Sequence, residues 1–177
     1  AEYSMKLNKA SGATNNSVFM TLRAEEAGGA GIKFSHHDIT RYSTENGDFS
    51  GARSRDRISV AYSDGNDDMT QWSFCAMSDT LGIEDTSSRS FADYYTFSAA
   101  TVGDMAYYSV KSPEGEKIAS LEADISAYDA PEKGKFYLGA QNTSVYIDEI
   151  TMYEAIEISE VSIEAENMEL SEGETTS

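Results

Sequence analysis

The run Gly134-Lys-Phe-Tyr-Leu-Gly-Ala-Gln-Asn-Thr-Ser-Val-Tyr-Ile-Asp-Glu-Ile-Thr-Met-Tyr-Glu154 decides the fold. It reads as two strands joined by a polar turn over residues 141–144. Val145 and Ile147 keep one parity, whereas Ile150 and Met152 keep the other. A strand with one buried face alternates strictly, so an extra residue must lie between Ile147 and Ile150. A β-bulge at Asp148 and Glu149 accounts for the slip and aims a carboxylate outward. A strand of this kind closes a β-sandwich.

The same two-residue alternation recurs upstream, in short segments separated by Gly, Asn, Asp and Ser. Tyr3, Met5 and Leu7 share a face, as do Val18, Met20 and Leu22, then Ile32 and Phe34, then Ile58, Val60 and Tyr62. Trp72, Phe74 and Ala76 continue the pattern, and residues 94–97 are rich in strand formers. Residues 105–110 and 117–121 flank Ser112-Pro-Glu-Gly-Glu116, with Pro early and Gly late as a tight turn requires. Residues 36–57 are polar and Arg-dotted, and read as a long excursion with one short strand near residues 39–42. Residues 78–89 and 123–134 read as loops. No window carries a helical apolar stripe. The expected fold is all-β, an antiparallel β-sandwich over residues 1–158, with a linker or a further module starting over 159–177.

At 177 residues the chain is long enough for a self-sufficient core. Thirteen Lys and Arg against 31 Asp and Glu give a net charge of −18. Nucleic acid and anionic membrane both demand a positive surface, so neither is an expected partner. The acidity is uneven: no Lys or Arg follows Lys135, while ten carboxylates lie between Asp148 and Glu174. A neutral polar ligand, a cation or a basic partner suits such a field, and so does simple solubility. The single Cys75 excludes an internal disulfide and reads as a small buried hydrophobe. No long apolar span is present. The opening residues already look like a strand, which points to a piece of a longer chain.

Val145-Tyr-Ile-Asp-Glu-Ile-Thr-Met-Tyr-Glu154, preceded by Tyr137-Leu-Gly-Ala140, resembles the final strand pair of concanavalin-like jelly-roll modules. The hairpin Tyr107-Tyr-Ser-Val-Lys-Ser-Pro-Glu-Gly-Glu-Lys-Ile-Ala-Ser120 is similar to their penultimate hairpin. Val161-Ser-Ile-Glu-Ala-Glu-Asn-Met-Glu-Leu-Ser-Glu-Gly-Glu-Thr-Thr176 resembles the first strand of bacterial Ig-like repeats. The resemblance implies a carbohydrate-binding module within a secreted or cell-surface multidomain bacterial protein, covalently linked to neighbouring domains. It covers less than a third of the chain and carries over no ligand residues.

Sugar rings present apolar CH faces on which flat aromatic side chains stack, while Asp, Asn, Gln and Arg bind the hydroxyls. Tyr offers both a stacking face and a hydroxyl, and eleven are present. Trp72 follows an Asp-rich turn and has Gln71 beside it, yet it shares parity with Phe74, so both a ligand platform and a core residue fit. Tyr94 and Tyr95 face opposite ways, as do Tyr107 and Tyr108, so one of each pair is expected in the core. Tyr42 sits in the polar excursion beside Arg41 and near His37. Arg53, Arg55 and Arg57 alternate along an extended segment and suit either clamped carboxylates or ordinary surface pairing.

His36 and His37 are adjacent and face opposite ways on a strand, which makes shared metal binding awkward. No H-E-x-x-H or G-x-S-x-G occurs. Asp64-Gly-Asn-Asp-Asp68 resembles the front of a calcium loop but lacks its Gly and its terminal Glu, so an EF-hand is excluded. A looser structural Ca²⁺ site at Asp64 and Asp68, or at Asp148, remains compatible with the residues, as do ordinary turns.

The expected function is non-catalytic binding of a polysaccharide, with Trp72, Tyr42, Tyr94, Tyr95, His37, Arg41, Arg55 and Gln71 as candidate contacts. Two alternatives stand beside it: a structural or protein-binding spacer, and a glycoside hydrolase or polysaccharide lyase of concanavalin-like fold.

Overall fold

In a computed structural model the chain is described over residues 2–9, 16–26, 29–39, 54–65, 72–79, 81–83, 91 and 93–153. Among the described residues ten strands form: β1 (Glu2–Lys9), β2 (Asn16–Ala24), β3 (Ala30–Ile39), β4 (Ser54–Asp64), β5 (Ser73–Met77), β6 (Tyr95–Val102), β7 (Met105–Lys111), β8 (Lys117–Asp124), β9 (Lys135–Gln141) and β10 (Val145–Tyr153). They make two five-stranded antiparallel sheets, ordered β10-β1-β6-β7-β8 (sheet A) and β5-β4-β3-β2-β9 (sheet B). The chain changes sheet four times, after β1, β5, β8 and β9. The protein is an all-β antiparallel sandwich.

The core follows from the alternation. Val18, Met20, Leu22, Ile32, Phe34, Ile58 and Val60 line the inner face of sheet B. Phe97, Ala99, Ala106, Tyr108, Val110 and Ala123 meet them from sheet A, with Ile125 just past the end of β8. Phe34 meets Tyr108 edge-on at 5.5 Å between ring centres, an arrangement that aromatic quadrupoles favour. Burial pushes the Tyr108 phenol far up.

The bulge in the closing strand is present. Glu149 stands opposite Lys6 and Ile147 opposite Leu7, leaving Asp148 as the extra residue. Ile147, Ile150 and Met152 therefore register with Leu7, Met5 and Tyr3 on one side of β10.

Two expectations are corrected. The polar excursion is shorter than residues 36–57, because β3 runs on to Ile39 and β4 starts at Ser54. The polarity there reflects a buried pair: His36 Nε2 lies 2.7 Å from Asp56 Oδ1, with both residues buried. A carboxylate only accepts, so Nε2 carries the proton. The other oxygen of Asp56 accepts Ile83 N–H at 2.5 Å, and its carbonyl accepts Leu81 N–H at 2.8 Å. The Phe91 and Phe97 rings meet the imidazole edge-on.

Asp56 has φ +61°, and the β3–β4 register slips there: Arg57 pairs with His37, but Ser54 pairs with Ile39. This bulge breaks the regular alternation expected of Arg55 and Arg57. Arg57 itself donates to the Ser78 carbonyl at 3.0 Å.

The second correction concerns β5. Val60 pairs with Ala76 but Ala61 pairs with Phe74, so Cys75 is the extra residue of a bulge. Ala76 and Cys75 pack against the main core, while Phe74 crosses to the outer face of sheet B with Ala61 and Trp72. Trp72, Phe74 and Ala76 do not share one face, despite their spacing. Cys75 is only partly buried; burial raises its thiol pKa, and the thiol donates weakly to the Ser73 carbonyl at 3.5 Å.

Candidate functional site

A β-sandwich offers two outer faces, and here they differ. On sheet B the outer-facing Ser17, Ser35, Ser59 and Ser63 are all buried, as are Thr21 and Lys33. Trp72 belongs to this covered face and is 3% exposed. Phe19 meets its ring edge-on at 5.6 Å, and the Lys33 ammonium sits 4.7 Å from the Trp72 ring centre and 4.8 Å from that of Phe19. The cation thus occupies the ring faces that a sugar would need. The Phe19 ring lies against Gly139 on the neighbouring β9, where a Cβ would collide with it. Trp72 is packed as a core residue would be, on a second small cluster beneath the outer surface.

Among the described side chains, sheet A's outer face is the more open of the two. Registers across its strands align residues in three rows. The first runs Tyr153–Glu2–Ala100–Tyr107–Glu122. The second runs Thr151–Ser4–Ser98–Ser109–Ser120, a hydroxyl-bearing residue on every strand. The third runs Glu149–Lys6–Thr96–Lys111–Lys117. Strands lie ~4.8 Å apart, so the five positions of a row span ~19 Å.

A shallow open groove of about 350 Å³ lies on the β6–β7–β8 part of this face. Ser98, Ala100, Tyr107, Ser109, Ser120 and Glu122 line it. Tyr107 is 38% exposed, and its cross-strand and same-strand neighbours Ala100 and Ser109 are too small to cover its ring. Tyr108, one residue on, is buried beneath the sheet. At the β10 end of the hydroxyl row the Thr151 hydroxyl donates to Glu149 at 2.9 Å.

The remaining predicted contacts disperse. Tyr95 packs on the core against Phe91, and burial, then Glu114, Asp56 and Asp93, raise its phenol pKa. Tyr94 is half-exposed just before β6, its N–H held by Asp93 at 2.6 Å. His37 and Arg55 are placed by backbone alone, in β3 and β4 of sheet B. Tyr42, Arg41, Gln71 and Asp68 lie outside the described residues. Asp64 ends β4 in sheet B and Asp148 forms the β10 bulge in sheet A, so they belong to different sheets. Among the described residues no group of three or more His, Cys, Asp or Glu side chains gathers around one point.

In the sequence Tyr107 stands out only as one of a pair. The available signal was the run of small residues, Ser98, Ala100, Ser109 and Ser120, on the parity opposite the core. Its meaning depends on which strands are neighbours. Compared with protein-family models, with curated proteins and with solved structures, the chain matches none.

Proposed function

We propose that this domain binds a polysaccharide without cleaving it, through the outer face of sheet A, and so holds the rest of a larger secreted protein against its substrate. The observation that carries the reading is the open groove in which Tyr107 is partly exposed among Ser98, Ala100, Ser109 and Ser120. A flat ring supplies the apolar contact to the sugar CH face, and the surrounding hydroxyls and Glu122 supply hydrogen bonds to its OH groups. Among the described side chains Glu122 is the one carboxylate lining the groove. The likeness of the closing strands to concanavalin-like modules points the same way.

Affinity electrophoresis through gels containing neutral and acidic polysaccharides tests the proposal. Retardation on at least one glycan, lost in Tyr107→Ala with the unfolding midpoint unchanged, supports it. Retardation that survives Tyr107→Ala, or none on any glycan, refutes it.

A further inference from the structure

The strand that closes sheet A is also its least protected element. β10 is nine residues long, contains no Pro, Lys or Arg, and pairs only with β1 among the described residues. Five of its residues are large, apolar or aromatic, and exposed: Tyr146 59%, Ile147 39%, Ile150 50%, Met152 66% and Tyr153 55%. Ile147, Ile150 and Met152 carry the parity of the core side. Among the described residues, sheet B meets sheet A chiefly at β6, β7 and β8 rather than at β10, which leaves these three side chains half-exposed. Natural edge strands are usually blunted by Lys, Pro, shortness or a covering loop. Among the described residues, the bulge at Asp148 and the two central carboxylates are the devices β10 carries.

The charge pattern selects the occupant. Asp148 and Glu149 sit at the middle of the strand, and no basic residue follows Lys135 in the whole sequence. Antiparallel pairing of two β10 strands about their centre would set these carboxylates against their own copies, and like charges directly opposite destabilise a strand pair. The net charge of −18 per chain adds to that repulsion. We infer that β10 is a docking edge for strand addition by an extended basic segment of another protein, with apolar side chains at alternate positions and Lys or Arg facing Asp148 and Glu149. Backbone hydrogen bonds would supply the pairing and the Ile147–Ile150–Met152 strip the side-chain contact. The Ile147–Ile150–Met152 strip lies on the opposite side of sheet A from the Tyr107 groove, and β1 separates β10 from the strands that line the groove, so the two sites are separable.

The test uses the full chain and two fluorescent peptides matching β10 in length. Both alternate Val and Thr, one with two central Lys and the other with two central Glu. Fluorescence anisotropy should show the Lys peptide binding about fivefold or more tightly than the Glu peptide. Binding should protect the β10 amides from hydrogen exchange and vanish when alternate peptide amides are N-methylated. Asp148→Lys should reverse the preference, and Ile150→Lys should weaken binding while leaving glycan retardation intact. Equal affinity for both peptides, protection elsewhere than β10, no binding by either, or a dimer that the Lys peptide fails to dissociate would each overturn the inference.

Discussion

Replacing Asp56 by Ala is the sharpest test of how the polar segment is used. In the folded chain one carboxylate oxygen accepts from His36 at 2.7 Å and the other from Ile83 N–H at 2.5 Å, all inside the protein. Ala leaves both donors buried without this acceptor, at about 1–3 kcal/mol each. Asp tolerates the left-handed backbone at φ +61°, whereas Ala pays ~1 kcal/mol more there. Allowing for partial relaxation, the loss is about 4 kcal/mol, or about 8–16 °C in midpoint for a chain of this size. Asp56→Asn keeps the shape and one acceptor, so it should lose about 2 kcal/mol. Urea unfolding followed by Trp72 fluorescence and by far-UV circular dichroism measures both variants, and coincident curves confirm two-state behaviour. The reasoning fails if Asp56→Ala lies within about 1 kcal/mol of the parent, or if Asn is as damaging as Ala.

Other outcomes follow from the same contacts. Gly139→Val should destabilise by more than about 2 kcal/mol through displacement of the Phe19 ring, and Phe19→Ala should make that second change far milder, a non-additivity that a double-mutant cycle reads. Arg23 ties the end of β2 to the carbonyls of Gly103, Ala130 and Pro131 at φ +57°, so Arg23→Ala should lower the unfolding free energy by about 2 kcal/mol. Arg23→Gly should recover about 1 kcal/mol of that by relieving the backbone.

Burial raises the pKa of Cys75 above 9.0 and those of Tyr62, Tyr95, Tyr108 and Tyr128 above 10.0. Raised values favour the protonated form in the folded state, so their stabilisation is complete below pH 9 and is lost as pH climbs through the folded values. Alkaline unfolding monitored by tyrosinate absorbance should show a late-titrating group of tyrosines that ionises together with loss of the sheet signal. Uniform titration near pH 10 with the fold intact would contradict the burial pattern.

Much of the fold was legible in single residues. The parity slip between Ile147 and Ile150 located the β10 bulge, because one buried side forces the register to correct itself. The Tyr107–Tyr108 pair divided between surface and core as adjacent strand residues must. Trp72 was ambiguous for a physical reason: the Cys75 bulge sends it and Phe74 to the far side of sheet B, and no local pattern shows that this side is itself covered. Residues 36–39 and 54–57 looked like loop because His and Asp are rarely found deep inside. Their burial becomes tolerable only when each is the other's hydrogen-bond partner.

The sequence by itself determined the strand rhythm, the turns, one bulge and the sign of the surface charge, since these depend on neighbours along the chain. Tertiary structure alone decided which outer face is the more open, which tyrosine is partly exposed on it and which strand is left at the edge. Those outcomes depend on strand order and on how far one sheet overlaps the other, and residues distant in sequence set both.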